Sequence, residues 1–234
     1  MQRNHFINYA HRGASSYAPE NTMEAFHLGI GMGANGIETD VQRTKDGILV
    51  LFHDDTILRM TGKPGRIQDY TYDELLTMPV SNYGLSGRIP RLEEFLEAFA
   101  HLDLQFAIEF KEAFTEQQTI DLLDRFQMQE KTVLTSFKLE CLMRAKLYAP
   151  QYKAGYLTDD VNPMVIKVLK TMGVEQVCPK GKLITPDLVE QLHGEGFSVR
   201  PWGVKSEVRM QAIYDAGVDG MTVNFPDKLT AYMA

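Results

Sequence analysis

The chain has 234 residues, of which 44% are hydrophobic, with a formal net charge of −7 and two cysteines. That length and apolar fraction suit one substantial core of α/β-barrel size, and two cysteines are too few for a disulfide framework. The negative charge excludes general attraction to nucleic acid, and no Lys/Arg-rich run offers a polybasic patch, so an anionic ligand must be drawn in by a local positive site.

Met1 to His5 lead into a short apolar stretch without the hydrophobic region of a signal peptide, and no apolar run approaches the roughly 20 residues that span a bilayer. The expectation is a cytoplasmic protein without membrane insertion, with Cys141 and Cys178 as buried structural thiols in a reducing compartment. Residues 6–10 read as a strand. A glycine-containing loop follows, then a helix from about Thr22 to Met32, with Asn21 and Glu24 as an N-terminal capping pair. Gly36 to Val41 form the next strand, and Ile48 to Phe52 an extended run after the turn signal Asp46-Gly47.

From about residue 54 to 90 the rhythm breaks into a Gly-, Pro-, Thr- and Tyr-rich stretch in which only Tyr72 to Met78 looks helical. It reads as a small insertion, too short and too polar to bury its own core. Regular alternation then resumes, with helices over 92–102, 116–126, 139–148, 163–172, 186–195 and 207–216. Strands fall over 104–110, 132–136, 154–157, 176–178, 197–201 and 220–223. Seven or eight βα units argue for one (β/α)₈ TIM-type barrel over the whole chain, with an insertion after the second strand. Gly29, Gly31 and Gly33 end a helix rather than follow a first strand, so no dinucleotide fingerprint is present, and no Walker-type loop appears.

Glu38 and Asp40 flank Thr39, so on a strand both carboxylates point to one face. Glu109 and Lys111 flank Phe110 in the same way. Catalytic groups of such barrels gather at the C-terminal strand ends, and like charges this close require a counter-charge or a proton. Three carboxylates make an all-oxygen site for a hard divalent cation, Ca²⁺ or Mg²⁺, with Mn²⁺ also possible. His11 and Arg12 close the first strand and His53 the run 48–52. Two histidines on the rim that carries the acids suit general acid–base work, and Arg12 and Lys111 could neutralise non-bridging phosphate oxygens in phosphodiester cleavage. Asp54 follows His53, but adjacent strand residues point apart, so its support for His53 is weak. His5, His27, His101 and His193 lie off that rim and take an ordinary structural reading. Trp202, after the seventh strand, is either a ligand-facing wall or core.

His11-Arg12-Gly13, Pro19-Glu20-Asn21-Thr22 with Ala25-Phe26, Glu38-x-Asp40-Val41, Thr44-x-Asp46-Gly47 and His53-Asp54 together resemble the signature of the glycerophosphodiester phosphodiesterase family. Thr56-x-Leu58-Arg59, Thr61-Gly62, Glu109-x-Lys111 and Trp202 continue the likeness, which is dense over about the first 75 residues and sparser beyond. The resemblance implies a TIM-type barrel that hydrolyses small glycerophosphodiesters to sn-glycerol 3-phosphate and an alcohol. It implies His11 and His53 as the acid–base pair, and Glu38, Asp40 and Glu109 as holders of the metal and of the glycerol hydroxyls. Arg12, Lys111 and Trp202 fall to substrate binding. The chain departs from the family pattern at Lys205, where Asn is frequent, and at Val223-Asn224, where Thr-Asp is frequent. Both departures read as matters of substrate range, and Ser16 in place of a more usual Gly reads as minor. Two other functions fit the same residues: a phospholipase-type barrel acting on lipids, for which only Tyr70, Tyr72 and Tyr83 suggest an apolar rim, and a non-catalytic glycerophosphodiester binder, which would not need both histidines.

Overall fold

The computed structural model describes residues 6–234; His5 lies outside them. In chain order the elements are β1 (Ile7–His11), α1 (Met23–Gly31), β2 (Gly36–Arg43), β3 (Leu49–Leu51), α2 (Leu58–Thr61), α3 (Tyr72–Leu76), β4 (Val80–Asn82) and β5 (Leu85–Gly87). They continue as α4 (Leu92–Phe99), β6 (Gln105–Phe110), α5 (Glu116–Arg125), β7 (Thr132–Ser136), α6 (Leu139–Tyr148), β8 (Lys153–Thr158), α7 (Pro163–Met172), β9 (Gln176–Pro179), α8 (Pro186–Gly194), β10 (Ser198–Val199), α9 (Glu207–Asp215), β11 (Gly220–Val223) and α10 (Pro226–Met233).

Eight of these strands run parallel in the order β10-β9-β8-β7-β6-β2-β1-β11. The open ends are joined by Asp219 N donating to Val199 O at 3.0 Å and Thr222 N to Pro201 O at 3.2 Å. Pro201 has no N–H to extend a ladder, which keeps β10 to two residues where the sequence suggests five. The nearly closed barrel with interleaved helices is the expected fold class. Alternation sorts the strands: Phe106, Ile108 and Phe110 of β6 join Ile37, Val41 and the α4 phenylalanines in one buried cluster outside the barrel. Glu38, Asp40 and Glu109, on the alternate positions, are left for the interior.

Two readings change in detail. The helix α1 is capped by Thr22, whose hydroxyl accepts from Ala25 N at 3.2 Å, and not by Asn21, which has a left-handed φ of 55°. The final helix α10 lies beyond the last strand expected at 220–223; Pro226 stands in its first turn, where proline is well suited.

The apolar residues of the insertion are buried, but only together with residues of and next to β3. Ile57, Met60, Ile67, Leu75, Val80 and Ile89 pack with Val50 and Phe52 as a separate buried cluster. The stretch is polar on average, but its few apolar residues sit against β3, which pairs antiparallel with the far end of β2 through Val41↔Leu51 and Arg43↔Leu49. The insertion therefore hangs from a hairpin and shares its strand. Among the described residues, no helix is long and apolar enough to cross a membrane.

Candidate active site

Strand register brings the predicted residues together. His11, the last residue of β1, stands opposite Glu38, and Asp40 of β2 stands opposite Glu109 of β6. Ligand oxygens of Glu38, Asp40 and Glu109 all lie within 4.8 Å of one another, and all three residues are buried. His11, Arg12, Glu38, His53, Glu109 and Trp202 line one cavity of about 540 Å³, with Ser16, Phe137, Arg200, Lys205 and Asn224 among its other walls. Asp40 and Lys111 are not part of that lining.

The charges are tightly interlocked. Lys111 Nζ lies 2.8 Å from Glu109 Oε1 and 3.9 Å from Asp40 Oδ1. Arg12 Nε is 3.1 Å from Asp40 Oδ2, and its Nη1 donates to Glu20 Oε1 at 2.8 Å. Burial alone would push the Asp40 carboxyl up, but Arg12, Lys111, His53 and the hydrogen bond from Asn21 hold it well below the usual carboxylate range. Glu38 is pushed well above its ordinary value by burial and by its neighbours Asp40 and Glu109. Burial and Asp40 raise Glu109 to about 7 despite Lys111. Two carboxyls thus resist ionising in the absence of a further positive charge. Asp40 Oδ1 is buried without a hydrogen bond among the described residues, while Oδ2 accepts from Asn21 Nδ2 at 2.9 Å. A buried carboxylate oxygen without a hydrogen-bond donor has capacity for a further partner, such as an ion. The donor set is all-oxygen, and the three residues fit a hard divalent cation.

The two histidines have unlike partners. His11 Nδ1 is 2.5 Å from Asn224 Oδ1, so the neutral ring carries its proton on Nδ1 and keeps a lone pair on Nε2, which lies 3.8 Å from Glu38 Oε2. Burial, with the adjacent Arg12, lowers His11 to about 3. His53 Nδ1 lies 2.8 Å from Asp54 Oδ1, an anionic partner. The expectation that Asp54 points away is thus corrected: β3 ends at Leu51, so strand alternation no longer governs residues 53 and 54. Asn224 both lines the cavity and stands behind the His11 ring.

Trp202 donates its indole N–H to Thr158 O at 3.4 Å, meets Phe137 edge-on at 4.8 Å between centroids, and carries Lys180 Nζ 4.9 Å from its ring centre. Sequence reasoning missed Arg200. It is fully buried, donates to Gln176 Oε1 at 2.9 Å and to Thr222 Oγ1 at 2.5 Å, and has no carboxylate at ion-pair distance among the described residues. An arginine two residues before Trp202, within the strand expected over 197–201, was the available signal. The remaining histidines keep to structural places: His27 lies against Phe99, His101 follows α4 in a turn, and His193 Nε2 is 2.8 Å from Asp219 Oδ2. Cys141 and Cys178 are buried and free.

The model of the glycerophosphoryl diester phosphodiesterase family matches residues 11–228. A glycerophosphodiester phosphodiesterase from Bacillus altitudinis is 35% identical over 232 residues, covering 94% of this chain and 95% of its own. That from Caldanaerobacter subterraneus subsp. tengcongensis is 34% identical over 231 residues, covering 94% of each chain. Among solved structures, a phosphodiesterase from Oleispira antarctica, in complex with the product sn-glycerol-3-phosphate, superposes with a TM-score of 0.86 at 25% identity, covering 97% of this chain and 96% of its own. With a barrel, a carboxylate cluster and a histidine pair held in one cavity, and a match that spans nearly its whole length, the chain belongs to the glycerophosphoryl diester phosphodiesterase family.

Proposed function

We propose that the protein hydrolyses small glycerophosphodiesters to sn-glycerol 3-phosphate and an alcohol, with a divalent cation on Glu38, Asp40 and Glu109 and with His11 and His53 moving the protons. The observation that carries this reading is the convergence of two histidines with unlike partners on a single cavity backed by three carboxylates. The glycerol-3-phosphate complex of the Oleispira antarctica relative supports the product.

His11 is the better base. Its Nε2 is left free by the Nδ1 contact to Asn224, and burial with the adjacent Arg12 outweighs that contact in keeping the ring neutral. His53 takes the acid role, with its ring oriented through Nδ1 by Asp54 Oδ1 at 2.8 Å. In this assignment His11 Nε2 takes the proton of the attacking water as its oxygen bonds to phosphorus. The bond from phosphorus to the leaving alcohol breaks, and His53 returns a proton to that oxygen. The cation, Ca²⁺, Mg²⁺ or Mn²⁺, supplies positive charge to the phosphate oxygens and to the glycerol hydroxyls when bound.

Arg12 and Lys111 are engaged by carboxylates, so they act first as charge balance for the acids and only partly as phosphate grips. Trp202 and Phe137 wall the organic part of the substrate, and Lys205, facing the same cavity, bears on the choice of leaving alcohol. A cytoplasmic location, as the sequence suggests, would give it headgroup diesters released by phospholipid turnover.

A coupled assay for glycerol 3-phosphate tests the reading: wild-type protein stripped with a chelator, then given each cation, with glycerophosphocholine, glycerophosphoethanolamine and glycerophosphoglycerol. Activity lost on chelation and restored by one ion is expected. Tight diester binding without turnover under any ion would make the chain a binder instead. One observation favours lipid substrates as a second reading: Leu58, Phe114 and Met164, in segments that follow β3, β6 and β8, are 57%, 71% and 68% exposed. Lysophosphatidylcholine with released choline as the readout separates the two, because its cleavage leaves lysophosphatidic acid and no glycerol 3-phosphate.

A further inference from the structure

Arg59 lies on α2, in the insertion, and does not wall the cavity. Its guanidinium makes two forked contacts. Nε and Nη2 donate to Oδ2 and Oδ1 of Asp54 at 2.6 and 2.9 Å, while Nη1 and Nη2 donate to Oε2 and Oε1 of Glu20 at 2.9 and 2.7 Å. Each carboxylate also holds a residue that does wall the cavity. Asp54 Oδ1 accepts from His53 Nδ1 at 2.8 Å, and Glu20 Oε1 from Arg12 Nη1 at 2.8 Å.

We propose that Arg59 is a positioning residue for the hydrolysis, one planar fork that sets His53 through Asp54 and Arg12 through Glu20 and so ties the insertion to the site. The inference rests on the proposed roles of His53 and Arg12. A lysine cannot replace it, because an ammonium is a point donor and cannot satisfy two carboxylates side by side. The same contacts explain why the triad Glu20, His53 and Asp54, whose ligand atoms also cluster within 4.8 Å, is no second cation site: Arg59 and Arg12 already occupy its oxygens.

The test compares wild type, Arg59→Ala, Arg59→Lys, Asp54→Asn and the double variant Arg59→Ala/Asp54→Asn as full chains with saturating cation. Both Arg59 variants should lose about tenfold to a hundredfold in kcat with KM changed far less, since a small misplacement of a proton donor costs that much. Methylguanidinium, but not methylammonium, should recover part of the Arg59→Ala loss, and the double variant should be little worse than the single ones. A proton spectrum of the histidines supplies a readout independent of turnover. The His53 Nδ1–H signal should be lost or shifted in Arg59→Ala and Arg59→Lys, with Tm within a few degrees of wild type.

An unchanged kcat together with an unchanged His53 signal would overturn the inference, as would full recovery by lysine. A wild type that cleaves no diester would instead remove the proposed function, leaving the spectrum to decide whether Arg59 sets His53.

Discussion

His11 and His53 differ in what stands behind each ring, and the difference predicts how each should fail. Replacing either with alanine should lower kcat by about 10²–10⁴-fold if it transfers a proton, with the fold intact by circular dichroism. Full activity in either variant would remove its role. Asn224→Asp is more informative, since it exchanges a neutral partner of His11 for an anionic one. A carboxylate favours the imidazolium, so His11 would need a higher pH to lose its proton. The acid limb of the kcat/KM profile should then move to higher pH, and an unmoved limb would separate His11 from that ionisation. How much was legible at this scale depended on the partner. Glu38, Asp40 and Glu109 stand two apart or in register on regular strands, where alternation is dependable. Asp54, Asn21 and Asn224 lie just outside strands or in left-handed turns, where a side chain's direction is set by tertiary contacts that sequence spacing does not encode.

At the level of elements, the turn from β1 into α1 tolerates little change. Gly13 has φ +80°, and a Cβ there would sit 2.3 Å from the carbonyl carbon of Ala25. Gly13→Ala combines a strained backbone with a clash against helix backbone, and should destabilise by about 2 kcal/mol or more in a denaturant melt. The neighbouring residue Arg12 also has a positive φ, 55°, so any shift of this turn would carry Arg12 away from Asp40. The insertion has its own weak point. Leu75 is fully buried in its small cluster, and Leu75→Ala should cost about 2–4 kcal/mol locally. Hydrogen exchange should then show residues 57–89 opening while the barrel strands stay protected; equal loss across both would mean the two melt as one. The barrel helices were readable because amphipathic periodicity repeats over several turns. The insertion's core was not, because it is built from isolated apolar residues in short irregular segments whose partner, β3, belongs to the barrel.

For the molecule as a whole, a net charge of −7 conceals a site in which three buried carboxylates crowd together. That crowding should appear in stability. Glu38 and Glu109 are raised in the folded protein, Glu109 from 4.5 to about 7, so the fold favours their protonated forms. Their contribution is fully present below about pH 4.5 and is lost as pH rises through about 7. Metal-free protein should therefore lose Tm between pH 5 and 8, and saturating divalent cation should remove most of that slope. A metal-free Tm that is flat or rises across this range would show that the two glutamates ionise freely. The chain's single tryptophan gives this site a built-in optical probe. Trp202 sits in the cavity wall between Phe137 and Lys180, so all indole emission comes from the mouth of the site. Binding of cation, diester or glycerol phosphate can thus be followed by intrinsic fluorescence in the unlabelled enzyme, even in variants too slow to assay.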